Sequence, residues 1–461
     1  MESGDLYFAV AENKPDRLNE LLEQGGNVDE FYDDMMNISS KSLLHVCCGK
    51  GHIDCLKVLI AHGAQLDVRD KWGQTPLMYS ATIQFTEIAQ TLLEADSELV
   101  QGQDRFGKSP LHCAVDVGSW ELARLLLLHG ADVNLRCHDG LSPLMYCCTA
   151  DPEGKRRDVM RLLLDEGAVI DLKDYRGKRS ALHLSVVSGN VEAVQRLVSA
   201  GASINEMDKT LRTPLTHALY SGVRGSEVSE AYSSIISLLV SAGADLNMAT
   251  TEGCNPLLSS ALLKSETMVR YFLSLGADPD VKFHSGVTPA LVSASTGDLA
   301  TLKALIFYNC DLKIKGNVYK KRRQIEYVID PFELAYMEGF LRLCVLMTRS
   351  GYRVHDKAQI FEDDAFRTAP ADWKPTPVLS RLAPQEAEQE RLTLSKAQHL
   401  PEDFRDCLRC LVEMSRSPRA LRELATLTVR MCMKNRLVAG VERLPVPRAV
   451  KNSILFNDLL T

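Results

Sequence analysis

The 461-residue sequence has no apolar run long enough to cross a bilayer. A transmembrane helix needs about 20 consecutive apolar residues, so we expect no association with a membrane. The first five residues, MESGD, are acidic and lack the basic and apolar regions of a secretory signal. We therefore expect an intracellular protein, in the cytoplasm, with a nuclear location as an alternative.

The thirteen cysteines do not form a pattern typical of a disulfide framework or a metal site. They are spread through a long chain with no secretory signal, which favours free thiols. Neighbours such as Cys47 and Cys48, or Cys147 and Cys148, point about 100° apart on a helix and are more typical of buried apolar positions. Cys407 and Cys410 form a lone pair, whereas structural zinc needs four ligands. We expect neither a metal site nor a cofactor.

The net charge of -7 is unevenly distributed along the chain. Residues 415–461 contain nine Lys or Arg against three Asp or Glu, so the rest of the chain is strongly acidic. An acidic body disfavours nonspecific binding to nucleic acid, and the basic tail indicates a separate module.

One tetrapeptide pattern recurs along the first three quarters of the chain: a small polar residue, often Pro, an apolar residue that is usually Leu, and often His. Its copies begin at nine positions, most of them spaced by 33 or 34 residues: Ser42, Thr75, Ser109, Ser142, Ser180, Thr213, Asn255, Thr288 and Asp330. A weaker unit precedes them at residues 6–28. This period with a T-P-L-H core is typical of ankyrin repeats.

Each part of the unit that begins at Ser109 has a physical reason. The hydroxyl can cap a first helix, and Pro110 can occupy its first turn, where no amide donor is needed. Leu122, Leu125 and Leu126 give the second helix an apolar stripe. Gly130 then ends that helix, since glycine tolerates the left-handed conformation of a helix C-terminus.

The chain resembles the ankyrin family over residues 4–353, and we predict an all-α solenoid of about ten helix-turn-helix repeats in residues 1–353. The motif histidines His45, His112 and His183 are expected to make polar contacts between adjacent repeats. Ankyrin stacks bind other proteins through turn tips and first helices. Trp72 and Phe106 occupy equivalent tip positions and are candidate anchors for a target protein, although isolated exposed aromatics are also ordinary.

The longest tip insertion carries the basic tetrapeptide Lys320 to Arg323. Three interpretations stay open: a nuclear address, a site for an acidic partner, or a solvated finger.

The repeat pattern stops after Tyr352, and the remaining chain divides in two. Residues 354–414 are predicted to be a connector with a linking helix, and residues 415–461 a small helical module. Ser417 and Pro418 start a helix whose apolar face contains Leu421, Leu424, Leu427 and Val429. A Leu-Pro-x-Pro box follows at residues 444–447. So short a module cannot bury its apolar helix alone and needs a partner surface.

This module resembles a SOCS box, and with the repeats the chain resembles the ankyrin-repeat and SOCS-box family. The resemblance implies that the helix inserts into elongin C through five positions: Ala420, Leu421, Leu424, Ala425 and Val429. The family usually has Cys where this chain has Ala425, and the lost volume is expected to weaken docking by about 1 kcal/mol. The resemblance also implies that Leu444, Pro445, Val446 and Pro447 favour a cullin scaffold with its RING partner.

The resemblance implies the substrate receptor of an elongin B/C cullin-RING ubiquitin ligase, whose repeats bind a target protein for ubiquitination and proteasomal degradation. No H-E-x-x-H helix or G-x-S-x-G elbow is present in the sequence. We therefore expect a non-catalytic receptor subunit rather than an enzyme. The alternative is an ankyrin scaffold that binds a target and recruits no ligase.

Overall fold

The computed structural model describes residues 4–33, 40–149, 154–224, 227–283, 286–320, 325–338 and 340–352. The predicted connector and C-terminal module lie outside the described residues. The chain divides into two compact units. Of the described residues, unit 1 comprises those up to 210 together with 237–243, and unit 2 comprises 211–236 together with 244–352.

Unit 1 is built from six successive helix pairs, as the repeat predicts. The pairs are α1 (Asp5–Ala11) with α2 (Pro15–Glu23), α3 (Leu43–Lys50) with α4 (Ile53–Ala61), α5 (Pro76–Ile83) with α6 (Thr86–Ala95), α7 (Pro110–Val117) with α8 (Trp120–Leu128), α9 (Pro143–Cys147) with α10 (Arg157–Asp165), and α11 (Ala181–Val187) with α12 (Val191–Ser199). A short 3-10 helix, Ser97–Gln101, follows α6.

The remaining four pairs begin in unit 2. They are α13 (Pro214–Gly222) with α14 (Glu230–Ser241), α15 (Pro256–Leu262) with α16 (Glu266–Ser274), α17 (Pro289–Thr296) with α18 (Leu299–Phe307), and α19 (Pro331–Met337) with α20 (Leu341–Arg349). The ten pairs in the described residues agree with the predicted number of repeats.

The first helix of every pair except the first starts at the motif. All nine motif residues are helix N-caps, and in Ser109 the hydroxyl oxygen accepts a hydrogen bond from the backbone N–H of His112 at 3.4 Å. Gly130, after α8, has φ of 87°, as predicted for a residue that ends a helix.

First and second helices differ in how they are buried. In α7 every residue from Pro110 to Val115 is buried, because α5 and α9 pack on either side of it. In α8 only Leu122, Ala123 and Leu126 are buried, and Leu125 of the predicted stripe is half-buried. The core of unit 1 therefore lies between consecutive first helices and along one face of each second helix.

The all-α prediction is correct for the helix pairs but incomplete for the insertions. Three antiparallel two-stranded sheets are present in the described residues: β1 (Phe31–Asp33) with β2 (Ser40–Ser42), β3 (Val223–Arg224) with β4 (Glu227–Val228), and β5 (Gly316–Lys320) with β6 (Ile325–Ile329). Inserted segments lack a helical partner, so their backbone groups pair with each other. The basic insertion is thus a β5–β6 hairpin, and Lys321 to Arg323 lie outside the described residues.

Candidate binding surface at the repeat tips

Three of the turns that precede first helices in unit 1 are closed by buried aspartates: Asp70, Asp104 and Asp174. Asp70 Oδ1 accepts hydrogen bonds from the backbone N–H groups of Trp72 at 2.9 Å and Gln74 at 2.8 Å. Asp104 Oδ1 accepts the equivalent bonds from Phe106 at 2.8 Å and Lys108 at 2.9 Å. Each tip is therefore a preformed turn whose central side chain projects outward.

Backbone hydrogen bonds connect consecutive tips. The N–H groups of Arg105, His138 and Tyr175 each donate, at 2.9 Å, to a carbonyl of the preceding tip. The acceptors are Trp72, Phe106 and Asp139 in that order. Four turns are thus joined into one surface, which we call the fingertip row: residues 69–74, 103–108, 136–141 and 173–179.

Glycine is required at the point where neighbouring tips meet. Gly107 has φ of 76°, and a Cβ there would lie 2.8 Å from the backbone nitrogen of His138. Gly140 has φ of 80°, and a Cβ there would lie 2.6 Å from the backbone nitrogen of Tyr175. Only a residue without a side chain fits both the left-handed backbone and the close approach.

Both tip aromatics predicted from the sequence are on this row and exposed to solvent. Trp72 is 37% exposed and Phe106 is 59% exposed. A third aromatic, Tyr175, is 56% exposed on the same row. The sequence prediction missed Tyr175 because it lies five residues before its motif residue Ser180, rather than three. An aspartate followed within three residues by glycine recurs in these turns, at Asp70, Asp104 and Asp174, and was a usable signal.

Cationic side chains flank these aromatics. Lys71 Nζ lies 4.4 Å from the Trp72 ring centroid, and the Arg136 guanidinium lies 4.2 Å from that of Tyr175. Arg136 also donates to the Gly140 carbonyl at 3.0 Å and to the Lys173 carbonyl of the next tip. The basic residues therefore hold the aromatic rings and help to join adjacent tips.

The motif histidines lie beneath the tips in neutral, hydrogen-bonded positions. His45 Nδ1 accepts from the Ser42 N–H at 3.2 Å, so its Nε2–H donates to the Gln74 carbonyl of the next tip at 2.9 Å. His112 repeats this pattern with Ser109 and the Leu141 carbonyl. His183 Nδ1 accepts in the same way from the Ser180 N–H at 3.2 Å. The predicted contact between adjacent repeats is confirmed for His45 and His112.

Burial shifts the pKa values of two of these histidines and of several cysteine thiols. Loss of solvation lowers the pKa of His45, and lowers that of His112 to about 4. Burial raises the pKa of the Cys113 thiol to about 12 and that of Cys48 well above its usual range. Such thiols stay protonated at neutral pH and are poor nucleophiles.

Within the residues that the structure describes, no three His, Cys, Asp or Glu side chains are grouped so as to hold a metal ion. None of the helices described there combines the length and apolarity needed to span a membrane.

The residues predicted to bind elongin C and a cullin lie outside the described residues. They are Ala420, Leu421, Leu424, Ala425 and Val429 for elongin C, and Leu444, Pro445, Val446 and Pro447 for the cullin. Their roles stay predictions.

Comparison with protein families identifies the repeat. Three copies of the ankyrin repeats model match residues 6–102, 95–174 and 153–228. The chain therefore contains ankyrin repeats, which act as interaction modules.

Curated relatives share these repeats over part of their length. Human ankyrin repeat and SOCS box protein 16 is 29% identical over 224 residues, which is 47% of this chain and 48% of that protein. The E3 ubiquitin-protein ligase KEG of Arabidopsis thaliana is 29% identical over 301 residues, or 61% of this chain and 18% of the relative. Human neurogenic locus notch homolog protein 1 is 34% identical over 158 residues, which is 6% of its length. The chain thus spans about half or less of each of these relatives.

Among solved structures, the ankyrin repeat domain of Bcl-3, a member of the IkappaB protein family, is similar to part of the chain. It has 24% sequence identity and a TM-score of 0.43, and the match covers 50% of this chain and 96% of that domain.

Proposed function

We propose that the chain is the substrate receptor of an elongin B/C cullin-RING ubiquitin ligase. Its repeats hold a target protein, and its C-terminal module recruits the elongins and the cullin scaffold. The chain supplies proximity and no chemistry of its own, since it raises the effective concentration of the target near the ubiquitin-loaded enzyme.

The C-terminal sequence is the observation that carries this proposal. A helix pattern at residues 420–429 and a Leu-Pro-Val-Pro box at residues 444–447 follow the repeats in the order typical of a SOCS box. Similarity of the repeats to an ankyrin repeat and SOCS box protein supports the same function. The ligase KEG also shares the repeat region, although only over 18% of its length.

The fingertip row is the proposed surface for the target. Trp72 and Phe106 present exposed rings on turns that hydrogen bonds hold in place, so little conformational freedom is lost when a partner covers them. Aromatic side chains in such positions contribute much of the binding energy of protein interfaces.

The test measures binding of the full chain to purified elongins B and C by calorimetry. Leu421→Asp places a charge on the apolar face of the docking helix and is expected to reduce the affinity by at least about 100-fold. Thr426→Asp is the matched control, because it adds the same charge about 140° around the helix and should bind as the wild type does.

The alternative function is a non-degradative scaffold. It is supported by Ala425, since the ankyrin-repeat and SOCS-box family usually has Cys at this position. If the wild type does not bind elongins but Ala425→Cys does, the chain has lost ligase recruitment through this residue. If neither binds, the ligase proposal is wrong, and the chain acts as a scaffold through its repeats alone.

A further inference from the structure

The fingertip row is basic on a chain that is acidic as a whole. Its four turns contain nine Lys or Arg and four Asp, whereas the whole chain has a net charge of -7. Three of those four aspartates, Asp70, Asp104 and Asp174, are buried and accept backbone N–H groups of their own turns. Their charge is directed inward, so the solvent-facing side of the row is more positive than the count suggests.

Several of these cations have no acidic partner. Lys71, Arg105, Lys108 and Lys178 form no ion pair with any residue of the described part of the chain. Arg176, by contrast, pairs with Asp139 at 2.7 Å. Unpaired cations next to exposed aromatic rings make a surface with two complementary requirements: negative charge and apolar contact.

We propose that the fingertip row binds an extended, acidic peptide segment of the target, in which Asp or Glu alternate with apolar side chains. The apolar residues cover Trp72, Phe106 and Tyr175, and the carboxylates pair with the lysines and Arg105 between them. This inference rests on the proposed function, because it takes the row as the target-binding surface and names the class of target.

The charges favour a peptide over a nucleic acid. The guanidinium groups of Arg69 and Arg136 already donate to backbone carbonyls and are not free to hold phosphates bidentately. Asp139 is paired with Arg176, which removes one cation from the line that a continuous run of phosphates would need, whereas a peptide can place a neutral residue at that point. A short peptide also avoids the acidic remainder of the chain, which a polyanion of many phosphates would meet.

Selection from a random 16-residue peptide display library on the immobilised full chain tests the proposal. Enriched peptides are expected to carry an excess of Asp and Glu with interspersed Leu, Ile or Phe. Enrichment of basic or neutral peptides, or no enrichment, overturns the proposal. No elongin is present, so this result and the elongin binding result are independent.

Variants then locate the binding surface, with a fluorescein-labelled peptide from the selection as the probe. Lys71→Glu with Arg105→Glu is expected to weaken binding by at least about 10-fold, and Phe106→Ala by a similar factor. Lys57→Glu with Arg161→Glu, on the exposed faces of α4 and α10, makes the same charge change away from the tips and should leave the affinity unchanged. Equal losses in both double variants mean that overall charge, not the row, attracts the peptide, and contradict the proposal.

A single-stranded 20-nucleotide DNA is the competitor. It is expected to displace the peptide only at a concentration at least about 10-fold higher than the unlabelled peptide needs. Displacement at an equal or lower concentration identifies the row as a nucleic-acid surface and overturns the proposal.

Discussion

At the scale of single residues, the motif histidines His45 and His112 join adjacent repeats only while they are neutral. His112 is enclosed between its own N-cap residue and the carbonyl of Leu141, and its ring packs edge-on against Tyr146 with centroids 5.2 Å apart. A proton on Nδ1 would break the bond from the Ser109 N–H and leave a buried charge. The same residue type that stabilises the repeats at neutral pH therefore makes them sensitive to acid.

We predict that protonation of His112 destabilises unit 1 between pH 6.5 and about pH 4. The folded state lowers the pKa of His112 from 6.5 to about 4, so the unfolded chain binds the proton more readily in that range. Stability is fully present above pH 6.5 and falls as the pH decreases, by about 2 kcal/mol between pH 7 and pH 5. Urea denaturation midpoints at the two pH values measure this loss.

His112→Met tests the assignment, since Met78 and Met145 occupy the equivalent position in two other repeats of this chain. The variant is expected to be less stable at pH 7, where it lacks the bond to Leu141, but to lose less stability on acidification. His138→Gln, at an exposed imidazole, is the control. An unchanged pH dependence in His112→Met would mean that other groups account for the acid sensitivity.

At the scale of elements, the helices were predictable and the connections between them were not. Seven of the nine motif N-caps could be identified because a small polar residue followed by Pro has one favourable use at a helix start, and Ser42 and Ser180 were identified from the repeat spacing. The insertions carry no comparable signal, and the register of β5 with β6 depends on which backbone groups meet after folding. Trp72 and Phe106 were identified from their spacing. Tyr175 was not, because its turn has one extra residue before the motif and because it lies one residue after its aspartate rather than two.

The contact between tips predicts unequal costs for two similar glycine substitutions. Gly107 and Gly130 both have positive φ, of 76° and 87°, but only Gly107 has backbone atoms within reach of a Cβ. Gly130→Ala should cost about 1 kcal/mol for the left-handed conformation. Gly107→Ala should cost about 2–4 kcal/mol, since the tips must also separate. Thermal denaturation of the two variants measures the difference, and equal losses would show that the tips are not held together as described.

At the scale of the whole molecule, the proposed function needs two activities in one chain. The proposed target surface lies within residues 69–179 and the predicted elongin helix within residues 420–429, so substitutions at different positions can remove each activity separately. Proximity is useful only if both remain on the same polypeptide. This requirement distinguishes a receptor from a scaffold whose repeats act alone.

We predict that two variants, each lacking one activity, do not complement each other. Phe106→Ala keeps elongin binding but loses the target, and Leu421→Asp keeps the target but loses the elongins. The assay is ubiquitination by elongins B and C, a cullin with its RING partner, and an acceptor made of the selected acidic peptide followed by a lysine-containing tail. The wild type should modify the acceptor, and each variant alone should modify it about 10-fold more slowly or worse.

An equimolar mixture of the two variants should be no faster than either variant alone, because a target held by one chain gains no effective concentration near a ligase held by another. Recovery of the rate in the mixture would instead mean that the chains act as an oligomer, in which one copy binds the target and another recruits the ligase.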